Sequence, residues 1–155
     1  MLEYTKIILL LITCFFILFK LIKLRSRNIK GDEWRFLLSS FFLSLFLILI
    51  IEIKHHHMLR ANINIPNTIT YLFYFVIVGS YFFVFRKILL RFKYILIIIS
   101  YMFFGLANSI DLLSDGQLFV LAYNEIVEDV FHILGIVFWL LFFVDYSKRI
   151  KIKYL

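Results

Sequence analysis

The chain has 155 residues, of which 63% are hydrophobic and 17% charged, whereas soluble domains are about 45–50% apolar. Its mean hydropathy of +0.96 and its continuous apolar runs exclude a soluble globular domain, and the runs lack the period-two alternation of a membrane β-barrel. The net charge of +7 would suggest a nucleic acid partner for a soluble chain. Here the basic residues lie between apolar runs, so membrane topology explains them and we expect no nucleic acid partner.

Five apolar runs approach the ~17–25 residues that are needed to cross a ~30 Å hydrocarbon layer. They predict an all-α membrane protein, a single transmembrane domain over residues 1–155 that forms a five-span helix bundle. In the first run the positive residues follow the apolar core instead of preceding it, which favours a retained span over a cleaved signal peptide. The spans are expected at about residues 4–24, 36–53, 69–85, 94–113 and 126–144.

The basic residues predict the orientation of the spans. Three segments, one after the first run, one after the third and one at the carboxyl end, hold 14 of the 17 Lys and Arg residues. Cytoplasmic loops carry an excess of Lys and Arg, and five spans place all three segments on one side. We therefore expect the N-terminus outside and the C-terminus in the cytoplasm, with the protein in a bacterial plasma (inner) membrane.

Several flanking residues are expected at the membrane interfaces. Lys6 and Lys20 flank the core of the first span, and their long side chains are expected to reach the two interfaces. Trp34, Tyr94 and Tyr146 are expected in the aromatic belt on the cytoplasmic side.

The second span carries two features. Ser40 and Ser44 form a small-xxx-small pair, which favours the close approach of a neighbouring helix. At the outer end, Glu52, His55 and His56 share one helical face, and the histidines could hold Zn, Cu or Ni. A solvated loop without a ligand is the preferred interpretation of this second feature.

Acidic residues and a histidine come together in the hairpin that the fourth and fifth spans form. Glu128, Asp129 and His132 lie on one face of the fifth span, and Asn108 and Asp111 lie on one stripe of the fourth. Acids in membrane spans are costly and usually face protein or water. Because the connection is short, the two helices are expected to be antiparallel neighbours.

If the two stripes face each other, Asp111 meets Glu128, Asp129 and His132, and Asp129 either shares a proton or pairs with His132. Carboxylates with an imidazole suit a divalent cation, a proton or a polar ligand. A structural alternative stays open, because acids in the first turn of a helix favour the positive end of its dipole. The candidate ligand- or ion-binding residues are Asn108, Asp111, Glu128, Asp129 and His132.

These patterns favour a non-enzymatic membrane module that senses or binds a small ligand or ion at an acidic and histidine-containing pocket in the outer leaflet. It would contact the lipid bilayer and could join a homo-oligomer or a larger membrane complex. The alternative is an ion- or proton-conducting subunit of a channel or transporter. A metal-dependent membrane enzyme, with Asp111, Asp129 and His132 as ligands, ranks third. No motif of the chain requires a cofactor.

Overall fold

The structure, a computed structural model, describes residues 2–26, 31–55, 67–91, 94–115 and 124–153. Within these residues it contains five α-helices and no β-strand, which confirms the predicted all-α fold. The helices are α1 (Leu2–Ser26), α2 (Asp32–His55), α3 (Asn67–Leu89), α4 (Tyr94–Asp115) and α5 (Asn124–Lys153).

The charges at the ends of the helices follow from the helix dipole. Asp32 and Glu33 occupy the first turn of α2, where negative charge stabilises the positive end. Arg86 and Lys87 occupy the last turn of α3, where positive charge stabilises the negative end. Pro66, the only proline in the chain, immediately precedes α3 in the sequence. Each of these helices therefore begins or ends where local chemistry favours it.

Two helices in the described part of the chain are long and apolar enough to cross a membrane. These are the segments Tyr4–Arg25 of α1 and Glu125–Arg149 of α5, while the apolar segment Tyr94–Ile110 of α4 is shorter. The fifth helix has 30 residues, so it continues well past the predicted span end at residue 144. Length and composition thus support association of α1 and α5 with a membrane.

The helices pack in a defined order. α4 packs most extensively against α5, α1 packs against both α2 and α5, and α3 makes only limited contacts with α2 and α4. Ser100 of α4 bonds to Gly135 of α5, whereas Phe104 lies beside His132. Because the residue number rises on one helix as it falls on the other, α4 and α5 are antiparallel, as predicted.

The bundle has two chemically different ends. We call the end where α1, α3 and α5 finish the basic end, and the end where α2 and α4 finish the acidic end. Large aromatic side chains fill the core toward the basic end, where the ring centroids of Phe36 and Tyr146 are 5.1 Å apart. Phe36, Trp139, Phe142, Phe143 and Tyr146 are each at most 1% exposed.

The expectation that Tyr146 belongs to an interfacial aromatic belt is wrong. Its side chain is 1% exposed, and its ring stacks 6.0 Å from Phe142. Tyr146 follows Trp139 by seven residues, so it lies on the same helical face. That face of α5 is turned toward the core, so Tyr146 is a core residue.

Candidate functional site at the acidic end

An ion pair between α1 and α5 is the central feature of the acidic end. The Lys6 ammonium donates a hydrogen bond to Oδ1 of Asp129, and the two side chains are 6% and 16% exposed. A charge taken out of water is costly unless it is paired and hydrogen-bonded. Asp129 therefore supplies the partner that allows Lys6 to be buried.

This position of Lys6 corrects the expectation that its side chain reaches the membrane interface. Leu10, Thr13 and Ile17 follow Lys6 at helical spacings of four, seven and eleven residues, and all three are 0% exposed. Side chains at these spacings share one face of a helix. Lys6 lies on the face of α1 that is turned into the bundle, so its ammonium meets Asp129 instead of the interface.

A second pair lies beside the first on α5. Nδ1 of His132 is 3.7 Å from Oε1 of Glu128, with side-chain exposures of 11% and 16%. The prediction that Asp129 shares a proton or pairs with His132 is therefore wrong. Asp129 is turned toward Nζ of Lys6 on α1. His132 lies against α4, with its ring 6.2 Å from that of Phe104.

The structure describes the other two predicted site residues, Asn108 and Asp111, only in part. Asn108 is half-buried on α4, and the neighbouring Ser109 is exposed and donates to the carbonyl of Gly105 in its own helix, at 2.8 Å. Asp111 belongs to α4, but its side chain is outside the described residues, so its approach to Glu128 and His132 stays a prediction.

The side chains of the second candidate metal site, the one that contains histidines, also lie outside the described residues. The side chains of Glu52 and His55, in the last turn of α2, are not described, and His56 lies outside the described residues altogether. In the part of the chain that is described, no group of three or more His, Cys, Asp or Glu side chains could hold a metal ion. The weak metal prediction for Glu52, His55 and His56 is therefore untested.

A buried hydrogen-bond network joins three helices in the middle of the bundle. Trp139 donates through Nε1 to the hydroxyl of Ser44 at 3.0 Å, which donates to the carbonyl of Ser40 at 2.9 Å. The hydroxyl of Ser40 donates to the carbonyl of Phe36 at 2.6 Å and lies 2.7 Å from the hydroxyl of Tyr81. Ser40 and Ser44 thus bond to two large aromatic side chains from α3 and α5, whereas the close approach of a helix at this small-xxx-small pair stays a prediction.

The contact between α4 and α5 depends on Gly135. Ser100 donates through its hydroxyl to the Gly135 carbonyl at 2.7 Å. A Cβ atom at Gly135 would lie 3.0 Å from two ring atoms of Phe104, so the absence of a side chain lets that ring pack against the α5 backbone. The Phe104 ring contacts His132 on one side and Tyr101 on the other, with centroids 6.2 and 6.3 Å away.

Sequence reasoning missed Lys6 as a member of this site. A signal was present, because Lys6 is one of only three basic residues outside the three basic segments; the others are Lys54 and Arg60. It also shares its helical face with Leu10, Thr13 and Ile17, a pattern that predicts burial. A lone basic residue on an apolar face, at the end where the acids gather, indicates an ion pair.

The site brings two carboxylates together with one lysine and one histidine. Lys6 neutralises Asp129, and Glu128 remains as a second carboxylate beside His132. A half-buried carboxylate next to an imidazole can take up a small cation, because both groups supply lone pairs to it. Thr13, on the same face of α1 as Lys6, donates to the carbonyl of Leu9 at 2.9 Å, so its hydroxyl is satisfied within its own helix.

Comparison with known proteins places the chain in a family. A family described as a domain of unknown function (DUF8692) matches residues 4–146. No curated protein and no solved structure matches the chain. The family match reaches into all five helices and includes Lys6, Glu128, Asp129 and His132. The chain therefore belongs to the DUF8692 family.

Proposed function

We propose that the chain is a five-span, non-enzymatic integral membrane protein that senses or binds a small ion or polar ligand at its acidic end. The basic end faces the cytoplasm and the acidic end faces outward. Two observations support the membrane part of this proposal: α1 and α5 are long and apolar enough to cross a bilayer, and all five helices have 22–30 residues.

The observation that carries the proposal is the side-by-side arrangement of two half-buried pairs, Lys6–Asp129 and Glu128–His132. If the acids of α5 served only to stabilise the helix dipole, they would lie exposed in its first turn, as Glu125 does. Here two further acids lie inside the bundle with a lysine and a histidine. Since these groups hold two carboxylates against one lysine, a small cation fits the site better than an anion.

A route for coupling supports the sensing role. The His132 ring contacts Phe104, and Tyr101 lies 5.7 Å from Trp139, the donor to Ser44 on α2. A ligand that moves His132 would shift Phe104, and packed aromatic rings transmit such a shift because interiors are close-packed. Binding at the acidic end is thereby linked to the centre of the bundle.

The alternative, an ion- or proton-conducting subunit, receives less support. Phe36, Trp139 and Phe142 are each 0% exposed and fill the core toward the basic end. A path through a single bundle would have to cross this aromatic packing. Conduction would therefore require an oligomer, with the path between protomers. The metal-dependent enzyme ranks last. It needs Asp111 and Asp129 as metal ligands, whereas Asp129 is already paired with Lys6.

The experiment uses Trp139 as a built-in reporter. The chain has two Trp residues, so Trp34→Phe leaves Trp139 as the only indole. The full-length protein, in a nonionic detergent at one fixed pH, is titrated with Na⁺, Mg²⁺, Ca²⁺ and Zn²⁺ in turn. We expect at least one cation to change Trp139 fluorescence saturably, and Glu128→Gln or His132→Gln to remove that change.

Glu125→Gln is the matched control, because Glu125 is an exposed acid in the first turn of the same helix. This variant should respond as the parent does. The absence of a saturable response to any of the cations, or the same loss in the Glu125 variant, would refute the proposed cation site.

A further inference from the structure

A groove lies between α2 and α3 at the basic end, remote from the acidic cluster. Its volume is about 390 Å³, and its walls include Arg35, Leu38 and Ser39 from α2 and Val84, Lys87 and Ile88 from α3. The groove exists because α3 makes only limited contacts with α2. Val84 is 66% exposed, so one side of the groove opens onto the apolar outer surface of the bundle.

The groove is polar at its mouth and apolar behind it. Arg35 and Lys87 are both exposed, while Leu38 and Val84 lie about one turn further toward the middle of the bundle. Within the described residues neither cation forms an ion pair, although Asp32 lines the same groove. At the same end of the bundle, Asp145 is paired with Arg149 at 2.8 Å.

We propose that this groove binds one anionic phospholipid. The guanidinium of Arg35 and the ammonium of Lys87 hold the headgroup phosphate, since Arg matches phosphate oxygens in a bidentate fork and Lys adds a point charge. An acyl chain lies along Leu38, Val84 and Ile88. A free phosphate would use only the two cations, whereas the apolar wall directly behind them fits an amphipathic ligand.

The inference rests on the proposed orientation, in which the basic end lies at the cytoplasmic interface. Basic pockets between transmembrane helices on that side bind anionic headgroups. The groove differs from the general basic surface because two helices contribute one cation each and share an apolar wall.

The test measures the melting temperature of the full-length protein in a nonionic detergent while one additive is titrated. The additives are short-chain phosphatidylglycerol, phosphatidylcholine with the same acyl chains, and inorganic phosphate. We expect phosphatidylglycerol alone to raise the melting temperature saturably. Arg35→Gln with Lys87→Gln should weaken its binding about twenty-five-fold, because each basic residue near an anionic surface contributes roughly fivefold.

Arg91→Gln with Lys148→Gln is the matched control, since these residues are exposed at the same end but do not line the groove. This double variant should bind phosphatidylglycerol as the parent does. An equal shift with phosphatidylcholine, an equal shift with phosphate, or an equal loss in the control variant would each overturn the groove as a phospholipid site. Glu128→Gln should leave this binding unchanged, which separates the outcome from that of the proposed cation site.

Discussion

At the scale of single residues, the burial of Lys6 carries a free-energy cost that its partner must offset. Its side chain is 6% exposed, and Asp129 is its partner. Moving an ammonium out of water costs several kcal/mol, which a well-placed carboxylate offsets. The pair joins the beginning of α1 to α5, and it therefore holds together two helices that are far apart in the sequence.

We predict that Lys6→Met and Asp129→Leu will each destabilise the protein by about 3–5 kcal/mol, because each leaves one buried charge without its partner. The double variant should lose clearly less than the sum, since no lone charge remains. A double-mutant cycle on the free energy of unfolding in one fixed detergent measures this coupling.

The Asp145–Arg149 pair serves as the control for that cycle. These side chains are 22% and 44% exposed and lie four residues apart on α5, so removing either should cost less than about 1 kcal/mol. If the Lys6 and Asp129 variants prove additive and as mild as this control, the ion pair contributes nothing specific.

The Ser44 hydroxyl is the acceptor for the buried indole of Trp139. We predict that Ser44→Ala will cost about 0.6 kcal/mol, the average for polar contacts between membrane helices, and no more than about 1.7 kcal/mol, the largest such value. Ser109→Ala is its control, because Ser109 is exposed and bonds only to its own helix, and it should cost almost nothing. Melting temperatures in one detergent compare the two variants; equal effects would contradict a special role for Ser44.

At the scale of the helices, α4 packs closely on α5 because Gly135 has no side chain and leaves the α5 backbone uncovered. Ser100 reaches the Gly135 carbonyl, and Phe104 covers the same position. A glycine inside a helix costs about 1 kcal/mol relative to alanine. The close approach of Phe104 explains why this cost is tolerated.

The two glycines of the α4–α5 hairpin provide a matched comparison. An added Cβ at Gly135 would lie 3.0 Å from the Phe104 ring, whereas at Gly105 it would meet nothing within 4 Å. We predict that Gly105→Ala will stabilise the protein by about 0.5–1 kcal/mol. Gly135→Ala should lose that gain to overpacking, which costs about 1–3 kcal/mol.

The difference between these two variants in the free energy of unfolding tests the contact directly. Because both substitutions place alanine in the interior of a helix, their intrinsic propensities cancel. If Gly135→Ala were as stabilising as Gly105→Ala, Phe104 would not be held against α5 as the structure shows.

At the scale of the whole molecule, charge is divided unevenly between the two ends. In the sequence, the segments next to the basic end carry 14 basic and three acidic residues, and those next to the acidic end carry seven acidic and three basic ones. Basic residues are retained on the cytoplasmic side of a membrane. The proposed five-span orientation follows from this division.

We predict that cysteine labelling from outside will report that orientation. In a Cys14→Ser background, a membrane-impermeant thiol reagent should modify Arg60→Cys and Gln117→Cys, because in the sequence these positions follow α2 and α4, the helices that finish at the acidic end. It should not reach Asn28→Cys or Leu90→Cys until the membrane is opened. The reverse pattern would show that the topology is opposite to the one proposed. Labelling of all four positions from outside would contradict the proposal that the two ends of the bundle lie on opposite sides of the membrane.

The positions of the helices and of the polar hairpin could be read from the chain, because apolar runs, charged helix ends and helical spacing are local properties. The antiparallel pairing of α4 with α5 followed from their short connection. Which side chains pair with each other between two helices could not be predicted in this way. Asp129 has His132 within reach on its own helix, and the choice of Lys6 depends on how α1 is rotated against α5.

The amino-acid sequence by itself determined an all-α chain with five helices, a basic and an acidic end, and the acids and histidine that gather at the latter. Only the tertiary structure decided that Lys6 turns inward, that Tyr146 belongs to the core, and that Trp139 and Tyr81 reach the two serines of α2. The physical reason is that nearly every face of these helices is apolar, so hydrophobicity alone does not specify which face packs inward. Shape and a few polar contacts select that face, and both exist only once the helices are packed together.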